Sequence, residues 1–329
     1  MLFKHIQFLV MSLIVLACQV NAQIKIAVVG KTKNDSFYEQ SFYGCQAFAN
    51  QYDNLKCIYE GADDYQDVRT QVLIVKELIS NGIDGLLIST TDSNYLVEGA
   101  LKAAKEKGVP VITFDSDLLP EHRRYRLAYV GTNNFDFGRA LAEVAKKYKK
   151  ESIQTICIQS GHQTTPNLNE RIRGVRYALS GGETSRLVAA TGWREHPRCP
   201  LFTMGRREDA LSQLLSMIKL PAPPIFLAVA GFAQFNTQYI ERLSPFRTKI
   251  AMQEVVIISA DTEAVQLQAL AKGLSTQNIG QKPFTMGQLG AQLLYAFIVN
   301  KQRPKQQNYF LDYHFCHASN VTSCTTNHE

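Results

Sequence analysis

Ile24-Lys25-Ile26-Ala27-Val28-Val29 runs into Gly30-Lys31-Thr32-Lys33-Asn34-Asp35 and then into an amphipathic stretch that begins at Ser36. A short apolar run rich in Val and Ile, a polar turn and a helix make one β-α unit of a buried parallel sheet. The unit repeats. Strands are predicted at Leu55–Tyr59, Gly85–Ile88, Val109–Phe114 and Leu127–Val130, with helices beginning near Ser36, Gln66 and Asn94 and with Gly82, Gly108 and Pro110 at the joins. A second series is predicted at Thr155–Gln159, Leu187–Ala190, Ile225–Val229 and Val255–Ser259, separated by helices near Asn169–Leu179, Glu208–Ile218 and Gln234–Leu243. Two successive series of similar length imply an α/β fold of two doubly wound parallel-sheet lobes. Gly131-Thr132-Asn133-Asn134 carries the chain from one to the other without a low-complexity linker.

Ahead of the first strand, the opening segment has a basic start at Lys4 and His5 and an apolar run from Phe8 to Cys18. Val20-Asn21-Ala22 then places small residues where a signal peptidase accepts them. Residues 1–22 are therefore expected to be a signal peptide cleaved after Ala22, and the protein to be exported. The apolar run is shorter than the ~20 residues that cross a bilayer. A minority alternative uses Val15-Leu16-Ala17-Cys18 as a lipoprotein box, which Leu16 fits poorly.

The 329-residue chain carries 35 basic and 29 acidic residues, and the basic ones fall in short clusters such as Lys146-Lys147-Tyr148-Lys149-Lys150 that suit solvated helix ends. No nucleic-acid-binding motif accompanies them, so a nucleic-acid partner is not expected. Loss of Cys18 with the signal leaves six cysteines. At least one of Cys45–Cys57 and Cys316–Cys324 is expected to be a disulfide, since each pair can meet locally. Cys157, inside an apolar strand, reads as a buried free thiol. Without a CxxC pair or a His/Cys ligand spacing, neither a metal site nor a cofactor is expected.

In parallel sheets ligands bind beyond the carboxyl ends of the strands. The residues there are Gly30 to Asp35, Ser89-Thr90-Thr91-Asp92, Asp115-Ser116-Asp117, Ser160-Gly161-His162 and Ala260-Asp261-Thr262. Helix capping accounts for Thr91, Asp92, Ser93 and Thr262. Asp115 and Asp261 directly follow hydrophobic strands and read as ligand-facing. Asp115 and Asp117, two apart, point to opposite faces and make a poor catalytic pair. An exported enzyme is the weaker alternative, because no Gly-x-Ser-x-Gly elbow, phosphate loop or His-Glu-x-x-His helix is present.

Several segments at these strand ends resemble those of type I periplasmic binding proteins, specifically the ribose- and galactose-binding group. They are Asn34-Asp35-Ser36-Phe37-Tyr38, Ile83-Asp84-Gly85-Leu86-Leu87-Ile88, Val109 through Asp117, Gly131-Thr132-Asn133-Asn134, Arg171 three residues before Gly174, Asp261, and Ile279-Gly280-Gln281 before Pro283. The resemblance implies two lobes joined by a three-strand hinge, crossed near Thr132, Gln281 and Gln307. Residues 23–132 plus 282–307 would form one lobe, and 133–281 plus 308–329 the other. It also implies a periplasmic monomer that captures a small sugar-like ligand for an inner-membrane ABC permease or a sensor kinase. The implied ligand-binding residues are Asp35, Phe37, Tyr38, Ser89, Asp115, Thr132, Arg171, Trp193, Asp261 and Gln281. For three of these a structural alternative stands: Phe37 as core, Arg171 paired with a surface carboxylate, and Trp193 covering a lobe edge. Ser89 stands where the ribose-like pattern has Asn, and Ala230-Gly231-Phe232-Ala233-Gln234-Phe235-Asn236 where it has Asn-Asp. These departures point away from ribose itself, toward another sugar, a less hydroxylated molecule or a signalling ligand.

Overall fold

A computed structural model of the chain describes residues 23–63 and 65–324. The expected signal peptide and its Cys18 alternative lie outside the described residues. The first lobe opens with β1 (Ile24–Thr32), β2 (Leu55–Ala62), β3 (Gly85–Ile88), β4 (Val111–Phe114) and β5 (Ala128–Gly131). The second contains β6 (Gln154–Ser160), β7 (Trp193–Glu195), β8 (Leu201–Phe202), β9 (Ile225–Ala228), β10 (Ile257–Ala260) and β11 (Gln277–Gly280). The chain then adds β12 (Asn308–Phe310) to the first sheet and β13 (His314–Cys316) to the second.

The sheet orders are β12-β5-β4-β3-β1-β2 and β13-β11-β10-β9-β6-β7, with β8 also pairing β6. All pairs are parallel except β13 on β11. Strand alternation sorts the first-lobe core onto two faces. Ile26, Val28, Leu87, Ile112 and Phe114 pack with the helices Ser36–Ala49 and Pro283–Asn300. Ala27, Val29, Leu86 and Ile88 pack with the helix Val68–Ser80 and the helical segment 93–106. The second lobe has one continuous core around β6, β9 and β10.

The chain passes between sheets after β5, after β11 and between β12 and β13. The third passage departs from the expectation at Gln307: Asn308 to Phe310 still pair with Tyr129 to Gly131 in the first sheet, so the switch falls at residues 311–313. Leu187–Ala190 is not a strand. Only an isolated bridge joins Val188 to Arg194, Val188 is 74% exposed, and Ala189 at φ 79° turns the chain back, so Trp193–Glu195 takes the edge position instead. The stretch Gln234–Leu243 is helical only over Tyr239–Leu243. Cys157 is not a free thiol. It is bonded to Cys199, which the loop before β8 brings under β6, and Cys45–Cys57 and Cys316–Cys324 are also disulfides.

Candidate ligand-binding cleft

The carboxyl ends of the two sheets face each other across a cleft. Asp115 leaves β4 at φ 54° and Asp261 leaves β10 at φ 73°. Left-handed backbone at a non-glycine residue costs on the order of 1–3 kcal/mol and survives only where neighbours enforce it. Here they do. The Asp115 carbonyl accepts from Tyr129 Oη (3.0 Å) and Asn134 Nδ2 (3.1 Å). At Asp261 the amide donates to the Ile279 carbonyl (2.7 Å), and its carbonyl accepts from Asn278 Nδ2 (2.9 Å).

The Asp115 carboxylate is the most heavily coordinated group in the cleft. Oδ2 accepts from Ser89 Oγ (2.8 Å) and Tyr38 Oη (3.1 Å) and lies 3.1 Å from Lys31 Nζ. Oδ1 accepts from Asn167 Nδ2 (2.9 Å) and lies 3.6 Å from the Arg171 guanidinium. Burial is the largest single influence on its acidity and would raise the pKa. The cations Lys31 and Arg171, with the Ser89 hydroxyl, outweigh it and hold the carboxyl below its ordinary value. Burial likewise lowers the Lys31 pKa, against the pull of Asp115.

Arg171 ties the second lobe to the hinge. Its side chain donates to Asn134 Oδ1 (2.8 Å), the Val229 carbonyl (2.9 Å) and Gln281 Oε1 (2.9 Å). Gln281 in turn donates to Asp261 Oδ1 (2.8 Å) and accepts from Thr132 Oγ1 (2.9 Å), so the first two crossings are hydrogen-bonded to each other. Asp35 caps the helix Ser36–Ala49 by accepting from the Phe37 amide (3.0 Å). Burial lifts its pKa to about 6, against that bond and the nearby Arg207 charge. Burial also raises Asp261, despite Arg171 and Gln281.

Of the residues expected at the site, Asp35, Phe37, Tyr38, Asp115, Arg171, Asp261 and Gln281 line this cavity. Ser89 stands behind Asp115, and Thr132 behind Gln281. Trp193 is not there. It pairs with Gln154 at the start of β6, whereas the cleft lies past Ser160 at its end, about 20 Å away at the rise of a strand. It is 4% exposed and covers a lobe edge, with Lys149 above its ring. Phe232 and Phe235 are the second lobe's cleft aromatics.

Lys31, Gln66 and Asn167 also line the cavity and were not expected there. Two of the three had a signal. Lys31 sits in the polar stretch right after the first predicted strand, and Asn167 precedes Arg171 by four residues, one helical turn on the same face. The cavity has a volume of about 30 Å³, roughly the share of one water molecule. A ligand of several non-hydrogen atoms does not fit that volume. Carboxyl, amide and cationic groups among aromatic rings suit hydroxyl recognition and ring stacking. Among the described residues no cluster of side chains has the makings of a metal site, and no helix is long and apolar enough to cross a membrane.

Residues 26–302 match a family model described as a periplasmic binding protein domain. A D-ribose/D-allose-binding protein of Pseudomonas aeruginosa is 26% identical over 205 residues, covering 57% of this chain and 64% of the relative. The chain thus spans less than two thirds of that relative's length. Among solved structures, an ABC transporter solute-binding protein of Burkholderia graminis in complex with D-arabinose is similar in fold at 23% identity. The TM-score is 0.76, with 93% of this chain and 99% of that one covered. A solute-binding protein of Agrobacterium vitis with bound D-fucose is similar at 19% identity, with a TM-score of 0.77 and 90% and 96% coverage.

Proposed function

The chain belongs to the periplasmic binding protein family, and on that premise we propose that it captures a small sugar-like ligand between its lobes and presents it to an inner-membrane ABC permease. The observation that carries this reading is the bridging of the cleft by Asp115 on one lobe and Arg171 on the other, with aromatic rings from both lobes beside them. Hinge closure about a ligand is the known motion of this family. The three passages between sheets are the hinge. Asp35 and Asp261 face each other's lobe with carboxyl oxygens to offer a ligand's hydroxyls, and Phe37, Tyr38, Phe232 and Phe235 cover its apolar faces. The role is binding, not catalysis, and the working unit is a monomer in the periplasm after removal of residues 1–22.

Support for a sugar and for a permease comes from the relatives: one is named for D-ribose and D-allose, and two solved neighbours are ABC transporter solute-binding proteins with D-arabinose or D-fucose bound. Support against ribose as this chain's own ligand comes from Ser89 and from the aromatic Phe232 and Phe235. A thermal-shift panel of D-ribose, D-allose, D-arabinose, D-fucose, polyols and small amines tests the reading, because a ligand of the folded state alone raises the melting temperature by mass action. A shift with one of the sugars supports it. A shift with amines alone, or none with any sugar, overturns it.

A further inference from the structure

Gln66 lies between β2 and the helix Val68–Ser80 of the first lobe, yet its surroundings belong to the second. It is 3% exposed. Its backbone amide donates to the Met204 carbonyl (2.9 Å), and its side-chain Oε1 accepts from the His162 backbone amide (3.3 Å). Both walls of its socket are glycines. A Cβ on Gly161 would stand 2.6 Å from Gln66 Oε1, and one on Gly205 would stand 2.8 Å from Gln66 Cγ. Gly205 has φ +80°, a conformation that glycine adopts without strain. Beside this socket the Arg206 guanidinium lies over the Tyr65 ring, 4.8 Å from its centroid.

These contacts differ in kind from those of the ligand-reading groups. Gln66 is met by backbone amide, backbone carbonyl and bare glycine Cα, all from one lobe, and its hydrogen bonds exist only while the lobes are together. Other interlobe contacts accompany it. Asn167 bridges Lys31 and Asp115, Gln40 donates to Glu263, and Arg207 donates to the Asn34 carbonyl. A contact made in one of two conformations shifts the balance by its full strength, whatever else binds.

We propose that Gln66 is a latch: seated between Gly161 and Gly205, it holds the lobes closed through the protein's own groups, so that closure is substantial before any ligand arrives. Ligand affinity then carries the latch's contribution, because a ligand of the closed form is bound in proportion to the fraction already closed. The inference takes only the hinge from the binding-protein reading and stands whatever the ligand is.

The experiment uses mature protein freed of carried-over small molecules by unfolding and dialysis without reductant, then refolded, and needs no ligand. Small-angle X-ray scattering compares the wild type with Gln66→Ala and Gly161→Ala, with melting curves confirming that each is folded. The Gly161 methyl would also press on Leu168 and Phe232 within its own lobe, so Gln66→Ala is the deciding variant. The expected result is a wild-type profile fitted mainly by the closed coordinates and a Gln66→Ala profile that requires separated lobes. Identical profiles for the two, whether both closed or both open, would overturn the latch while leaving the sugar reading untouched.

Discussion

The ammonium of Lys31 and the carboxylate of Asp115 form an ion pair of 3.1 Å within a single lobe, with each side chain at most 5% exposed. Lys31 is the last residue but one of β1 and Asp115 follows β4, two strands whose carboxyl ends open on the same cleft. The pair therefore survives hinge opening, and so do the bonds from Ser89 and Tyr38, which come from the same lobe. With its oxygens so fully engaged, Asp115 positions Lys31 and Arg171 as much as it offers an acceptor to a ligand.

Removing one member of that pair leaves a buried charge without its partner, which typically costs about 3–5 kcal/mol. Asp115→Asn should destabilise the fold on that scale, Lys31→Met by less because Arg171 still faces the carboxylate, and the double variant should lose clearly less than the sum. Urea unfolding of the four proteins gives the coupling directly. Additive losses would mean that the pair is spectator to stability.

Asp35 makes stability depend on pH in a defined direction. Its pKa in the folded chain is about 6 against 3.8 ordinarily, so the folded state holds more proton than the unfolded state between those values. The contribution to stability is greatest below about pH 4 and is lost as pH rises to 6. By linkage the loss reaches about 3 kcal/mol at neutral pH. Asp35→Asn keeps a good helix cap and removes the titration. Urea unfolding at pH 4 and at pH 7 should therefore show the variant gaining on the wild type at the higher pH. Equal pH slopes in the two proteins would place Asp35 in an environment more like water.

Exported protein should carry Cys45–Cys57, Cys157–Cys199 and Cys316–Cys324. Peptide mapping without reduction reads the pairing. Cys157–Cys199 closes the longest loop, 42 residues in separation, and its removal should cost about 4 kcal/mol on the loop-entropy scale. A free Cys157 thiol in mature protein would contradict the fold of the loop before β8.

Trp193 is the sole tryptophan and is remote from the cleft. Trp193→Phe should bind any sugar found in the thermal-shift panel with wild-type affinity by calorimetry. A loss of tenfold or more would put it back at the site.

Much of this arrangement was legible in the sequence, and the reason is local. Buried parallel strands are continuous apolar runs, so β1 to β6, β9 and β10, with the polar residues at their ends, can be read without tertiary information, whereas the short edge strands and β11 to β13 cannot. Asp115 and Asp261 emerge in that way, whereas Arg171, inside a helix, follows only from the resemblance to the ribose- and galactose-binding group. Trp193 was misplaced because an apolar tetrad, Leu187–Ala190, imitates a strand, while the true one, Trp193–Glu195, is only three residues and alternates. Cys157 was misread because its partner approaches through a loop whose path no local pattern encodes. Lys31, Asn167 and Gln66 went unassigned for a different reason. A lysine at a strand end and an asparagine and a glutamine near helix starts are ordinary residue types for those places, and their partners across the cleft come from distant parts of the chain.

Calorimetric titration of the sugar selected by thermal shift into the wild type, Asp261→Asn and Arg171→Ala tests most directly whether this cleft is where the ligand is held. The account predicts wild-type binding that weakens by about 2–5 kcal/mol in Arg171→Ala, which takes one of its two cations from the buried Asp115 carboxylate, and by a lesser but measurable amount in Asp261→Asn. A sugar that bound both folded variants as tightly as the wild type would show that it is held somewhere else.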